Sequence, residues 1–169
     1  MLKTGPVEKN ANNSTIRRLL RVIGSTARRS FVLYPMLVIA FESFRRAGLE
    51  VPTPYFLPLL VWGYLEYRLV GDYRQRHKAG SRSFGEVPEQ LLQEGPFRFT
   101  RNPMYLGHLI FMLGLALSFE SWLGAVILLF NLRWFHQRVL KDEALLQAKF
   151  GPEYDDYRRR VKRWIPFLL

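Results

Sequence analysis

The sequence predicts an all-α integral membrane protein: four short transmembrane helices, then a C-terminal amphipathic helical segment in the cytosol. Two observations predict it. Four apolar runs lack the polar stripe that a helix in a soluble bundle turns to water. The basic residues also alternate between the segments that separate those runs. Residues 1–30 hold seven Lys and Arg, 45–54 two, 71–103 six, 120–121 none and 136–169 eight. The positive-inside rule reads this as four spans with both termini and the 71–103 segment in the cytosol.

Residues 1–30 form a basic cytosolic segment, whose opening MLKTGPVEKNANNST has no apolar core and is not a signal peptide. Residues 31–169 are expected to be a single domain. The first run is Phe31 to Phe44, flanked by Arg28 and Arg29 before it and Arg45 and Arg46 after it. The others are Tyr55 to Val70, Met104 to Phe119 and Trp122 to Phe135, giving spans of about 31–46, 54–70, 103–119 and 122–136. Each run is shorter than the roughly 20 residues that cross a bilayer core. The third carries no charge from Met104 to Phe119, and the fourth none from Trp122 to Leu132. Only Glu120 and Ser121 separate these two, so they form a tight antiparallel hairpin. Gly107, Gly114 and Gly124 are candidates for close approach of its two helices. Beyond Phe135 the chain turns amphipathic, through RVLKDEALLQAKF (138–150), and Gly151-Pro152 is a helix stop. A second short helix is expected over 153–164, before Ile165-Pro166.

Composition removes several function classes. Lys and Arg outnumber Asp and Glu by 25 to 14, a net charge of +11. The topology accounts for most of that excess, and no recognition module for nucleic acid accompanies it. There is no Cys, hence no disulfide, thiolate site or cysteine nucleophile. His77, His108 and His136 are too scattered to hold a metal, and none is expected. Glu66, Arg68 and Arg133 fall close to the cytosolic boundary, where snorkelling explains the arginines. His108, about one turn into the third span, is expected to pack.

The densest chemical signal is LLQEGPFRFTRNPMYLG, Leu91 to Gly107. Gly95-Pro96 is a turn signal. Pro103 suits the first position of a helix, where its missing N–H costs nothing, and Asn102 before it is a good N-cap. A loop carrying Phe97, Phe99 and Arg101 thus leads into a helix N-terminus, whose free N–H groups suit a carboxylate. A second cluster runs from Arg138 to Pro166. In it Arg138 and Asp142, four apart, share a helix face. Alone, that pair reads equally as a surface ion pair or as an acidic group beside a cationic ligand.

The order of these parts resembles the isoprenylcysteine carboxyl methyltransferase superfamily, which also holds phospholipid methyltransferases and many bacterial relatives. That family's pattern runs Gly-x-Tyr-x-x-x-Arg-His-Pro-x-Tyr-x-Gly. A helical hairpin follows, then Glu-Glu, Phe-Gly-x-x-Tyr-x-x-Tyr, a Val and a Pro. The resemblance covers roughly residues 89–167. Asn102 stands where the family has His, Phe97 where it has Tyr, and Asp142-Glu143 where it has Glu-Glu. Asn is neither acid nor base near neutral pH, so no imidazole base operates at that position.

The resemblance implies an enzyme that uses S-adenosyl-L-methionine as methyl donor, held on the cytosolic side by residues 89–107 and 138–166. Glu89, Gln90, Leu91 and Leu92 would line the cofactor, and Phe97 would pack near its adenine. Arg101, Asn102, Pro103, Met104 and Tyr105 would surround it at the helix start. Asp142, with Glu143, would take its ammonium or ribose hydroxyls. Arg138 would be the catalytic residue, orienting an acceptor oxygen. A carboxylate acceptor needs no base at neutral pH, whereas an amine does, which favours carboxylate O-methylation of a lipophilic or lipidated acceptor. A multi-pass position in a bacterial inner membrane is implied, with the lipid bilayer as partner. Three alternatives stay open: a phospholipid amine N-methyltransferase, a sterol-type membrane reductase using NADPH, and a non-catalytic membrane scaffold.

Overall fold

The computed structural model describes residues 24–49, 51–77, 79 and 88–164, and every regular element among them is helical. Residues 1–23, and Ile165 and Pro166, lie outside the described residues. The first helix winds through three forms without a break: an α turn Thr26–Arg28, a π turn Arg29–Leu33, and α1, Tyr34–Arg45. Pro35 has no N–H to give and its ring crowds the carbonyl four residues back, so the widened turn immediately before it has a local cause. A 3₁₀ turn, Pro54–Phe56, opens into α2, Leu57–Arg76. This helix outlasts its apolar run, because Gly71 to Arg76 continue it as a polar extension. A second 3₁₀ turn, Gly95–Arg98, precedes α3, Pro103–Ser118. The chain reverses through Phe119, Glu120 and Ser121 into α4, Trp122–Phe150. Ser121 caps α4, its Oγ accepting from the Gly124 N–H at 3.1 Å.

The fourth apolar run and the amphipathic segment after it are therefore one unbroken helix, which carries the hairpin straight into the Asp142 region. Gly151 ends it with a φ of +50°, a value glycine adopts without Cβ strain. The last helix, α5, is Pro152–Arg160, shorter than the sequence pattern implies, and Val161 is already extended.

The tightest seam joins α2 to α3. A Cβ added at Gly63 would meet the Phe111 backbone and lie 2.6 Å from the Gly107 carbonyl oxygen, and one at Gly107 would lie 2.8 Å from the Gly63 oxygen. Gly114 meets Leu59 and Leu60 of α2 in the same way. This corrects the assignment of three glycines to the hairpin: Gly107 and Gly114 face α2, and Gly124 alone faces its hairpin partner, against Ala116. Spacing along α3 identifies which glycines share a face, and not which helix that face meets.

Between α3 and α4 the core is Tyr105, Leu109, Met112, Phe135 and Val139. His108 is fully buried beside it, with the Phe31 and Phe135 rings stacked at 4.8 and 5.4 Å. It packs, as expected. At the far end of the bundle Glu42 is buried and pairs with Arg45 at 2.6 Å. Arg46 donates to the Phe119 carbonyl at 3.1 Å, tying α1 to the hairpin turn.

No helix among the described residues is long and apolar enough to cross a membrane. The reasons are local. The 16 residues of α3 are apolar but few, and the longer α2 and α4 carry Glu66, Arg68, Arg133 and Arg138 within them.

Candidate functional site

The α2, α3 and α4 ends, the segment before α3, and α5 enclose one cleft of about 860 Å³, counting its open mouth. One wall is Leu91, Leu92 and Phe97. A second is the start of α3, with Arg101, Asn102, Pro103, Met104 and Tyr105. The third is the α4 extension, with Asp142, Glu143, Leu145 and Leu146, backed by Tyr154 and Tyr157 of α5. Ten of the expected site residues thus converge, although Leu92 and Asp142 are 50 positions apart in the chain. Glu89 and Gln90 do not line the cleft and are exposed. Arg138 lies beside it, one turn before Asp142 on α4.

The two carboxylates have different surroundings. Asp142 Oδ2 accepts from the Tyr105 hydroxyl at 2.7 Å. Its Oδ1 is 3.7 Å from Arg138 Nε, an ion pair too long for a hydrogen bond. Glu143 is buried between two guanidinium groups. Arg163 grips it with two donors, at 3.1 and 2.8 Å, and Arg101 Nη2 stands 3.1 Å from Oε1. The grip on Glu143 holds the Arg163 guanidinium above its ordinary pKa. Burial pushes the Tyr154 phenol up to about 12, and it raises Tyr157 as well.

A strap formed by Val161 to Trp164 closes one edge. The Arg101 N–H donates to the Lys162 carbonyl at 3.0 Å. The Thr100 hydroxyl and the Asn102 side-chain amide both donate to the Arg163 carbonyl, at 3.0 and 3.1 Å. Asn102 stands at the N-cap position of α3, but its side chain does not cap the helix. It reaches across to the strap instead, because that carbonyl lies within reach and Thr100 Oγ1 already accepts the Asn102 backbone N–H at 3.3 Å. On the other edge the Tyr157 hydroxyl donates to the Phe97 carbonyl at 2.7 Å, fixing the ring's turn against α5.

Arg101, at Nε and Nη1, and Tyr154, at its hydroxyl, line the cleft and carry buried polar atoms without a hydrogen-bond partner among the described residues. Buried donors of this kind are costly unless a ligand or water uses them. Sequence reasoning assigned no individual role to Leu145, Leu146, Tyr154, Tyr157 or Arg163, although all lie in the expected 138–166 segment, and none at all to Arg74 or Pro88. The pair of tyrosines three apart beyond Gly151 was visible as a pattern. Arg163, one of several basic residues near the C-terminus, carried no mark that set it apart.

The family model described as phospholipid methyltransferase matches residues 60–153. Protein-S-isoprenylcysteine O-methyltransferase of Schizosaccharomyces pombe is 33% identical over 81 residues, 46% of this chain and 34% of that protein. The nickel-cobalt-cadmium resistance protein NccN of Alcaligenes xylosoxydans xylosoxydans is 31% identical over 84 residues, 50% of this chain and 39% of that protein. The matched region thus spans less than half the length of these two relatives. An uncharacterized protein of Haemophilus influenzae is matched along 100% of its length, at 34% identity over 65 residues. The family match begins in α2 and ends at the start of α5, so it takes in Leu91 to Tyr105 and Asp142 to Leu146 and stops just before Tyr154 and Tyr157. The chain belongs to the phospholipid methyltransferase family.

Proposed function

We propose that this protein is a membrane-embedded, S-adenosylmethionine-dependent methyltransferase that methylates a lipophilic acceptor, most simply at a carboxylate. The observation that carries the reading is the cleft itself. It sets the start of α3 opposite Asp142, with Arg138 at its side. The residues present fit the cofactor. Arg101 offers buried, unused donors for a carboxylate, and Asp142 offers an acceptor for an ammonium or hydroxyls. Leu91, Leu92 and Phe97 offer apolar surface for an aromatic base. The bound cofactor supplies an already activated methyl group.

The protein's own part is alignment and exclusion of water. Arg138 is placed to hold an acceptor oxygen, since its 3.7 Å separation from Asp142 leaves its Nε without a hydrogen bond there. The strap and α5 cover the cytosolic side. Asn102 holds that cover rather than moving a proton. The relatives named as protein-S-isoprenylcysteine O-methyltransferases favour a carboxylate on a lipidated acceptor.

Membrane embedding is supported by apolar side chains left on the outside of the bundle. Met36 is 63% exposed, Phe44 88%, Trp62 58%, Leu69 61%, Leu129 64% and Phe130 67%. A soluble monomer rarely shows so much apolar surface at once. The basic alternation in the sequence supports four spans with the cleft in the cytosol. Reporter fusions after Arg46 and Ser121 are then expected on the opposite side from fusions after Ser83 and Leu169. Any other pattern removes the four-span arrangement.

Calorimetry on the purified full chain tests the cofactor. S-adenosylhomocysteine is expected to bind and NADPH not to. In Asp142→Asn the affinity is expected to fall about 10- to 100-fold, the loss of one charge-assisted hydrogen bond. Binding of NADPH alone would favour the reductase reading, and binding of neither would favour a scaffold.

A further inference from the structure

Arg29 opens the π turn ahead of α1, in a part of the chain outside the family match at residues 60–153. Its guanidinium lies 5.2 Å from the centre of the Trp134 ring. Nη2 donates weakly to Thr26 Oγ1 at 3.3 Å, while Nε is buried without a hydrogen-bond partner among the described residues. A cation over an aromatic face gains attraction there, yet the ring satisfies none of its N–H donors. Trp134 stands one turn before Arg138 on the same face of α4. It packs against the Tyr105 and Phe135 cluster, whose Tyr105 hydroxyl holds Asp142. Arg29 thus lies over the Trp134 ring, and Arg138 follows Trp134 by one helical turn, beside Asp142 of the cleft. Both belong to the cytosolic boundary of the expected spans, at headgroup depth. π turns of this kind recur at functional sites.

We propose that Arg29 determines acceptor specificity: together with Arg138 it receives the oxyanion headgroup of an amphipathic acceptor lying in the bilayer. This rests on the methyltransferase reading. The headgroup chemistry is a single oxyanion, supplied by a prenyl-cysteine carboxylate or by a phospholipid phosphate. A planar guanidinium grips either with two parallel hydrogen bonds, which an ammonium cannot copy. The alternative is a purely architectural arginine that pins the first helix to α4 through Trp134.

The test uses the detergent-solubilised full chain and two matched probe pairs: N-acetyl-S-farnesylcysteine against its methyl ester, and phosphatidylglycerol against diacylglycerol. S-adenosylhomocysteine binding is measured in the same samples. In the wild type at least one anionic probe is expected to bind roughly 10-fold tighter than its neutral partner. In Arg29→Gln, with Arg138 still in place, that preference is expected to fall about five-fold or more while S-adenosylhomocysteine affinity stays unchanged. The pair that shows the preference identifies the source of the oxyanion. An Arg29→Gln protein that keeps the full preference, or a wild type that has none, overturns the inference. Should Arg29→Gln fail to fold, Arg29→Lys retains the cation without the fork and is expected to lose about three-fold in preference; an unchanged preference overturns the inference there too. Absent S-adenosylhomocysteine binding in the wild type strikes the methyltransferase reading itself, whatever Arg29 does.

Discussion

Glu143→Gln is expected to destabilise the protein by about 3 kcal/mol, the low end of the cost of removing one partner from a buried ion pair. Glu143 is 7% exposed and faces Arg101 and Arg163 together. Taking away its charge leaves two guanidinium groups close to each other, with Arg101 almost wholly out of water at 8% side-chain exposure. Desolvation of such a cation is not recovered by a neutral amide. For a domain of this size the melting temperature should fall by about 6–12 °C. Part of the loss should return in Glu143→Gln combined with Arg163→Gln, because the second change removes one stranded charge. Thermal unfolding of the three proteins in one detergent checks both points. A Glu143→Gln protein that melts with the wild type would mean that the pair adds nothing to the fold.

Arg138→Lys is expected to keep S-adenosylhomocysteine affinity and folding but to lose most methyl transfer. If Arg138 merely anchors α4 at the headgroups, Lys snorkels equally well and the change is nearly silent. If it grips an acceptor oxygen, the fork geometry is lost. Losing one charge-assisted hydrogen bond to the acceptor would lower turnover by about 10- to 100-fold. Full turnover in Arg138→Lys returns the residue to the anchoring role.

Much of this was legible in the chain, and the limits follow a physical pattern. Features set by neighbours in sequence were visible. Pro103 starts α3, a short turn around Glu120 and Ser121 reverses the hairpin, and Gly151-Pro152 ends α4. The convergence of Leu91 to Tyr105 with Asp142 and Glu143 came from the family resemblance, because spacing alone left Arg138 and Asp142 as an ordinary ion pair. Features set by partners far along the chain were not visible. Nothing in the spacing of Gly107 and Gly114 says that their shared face meets Gly63 and Leu59 on α2. Asn102 has every local property of a cap, and the Arg163 carbonyl overrides them by lying within reach. The continuation of α2 to Arg76 was hidden by the end of the apolar run, since hydropathy tracks burial and not helix length. The unlike settings of Asp142 and Glu143 depend on Tyr105 and Arg163, neither of which neighbours them in sequence.

The measurement that tests the central claim most directly is methyl transfer itself. The purified chain is incubated with S-adenosylmethionine labelled in its methyl group, a total lipid extract and N-acetyl-S-farnesylcysteine. Label entering the organic phase is then counted and its carrier identified by mass spectrometry. The account predicts label on a lipophilic product with the wild type, and about 10-fold less or lower still with Asp142→Asn. An organic phase that stays unlabelled with folded protein that binds the cofactor, or equal labelling by Asp142→Asn, would contradict it.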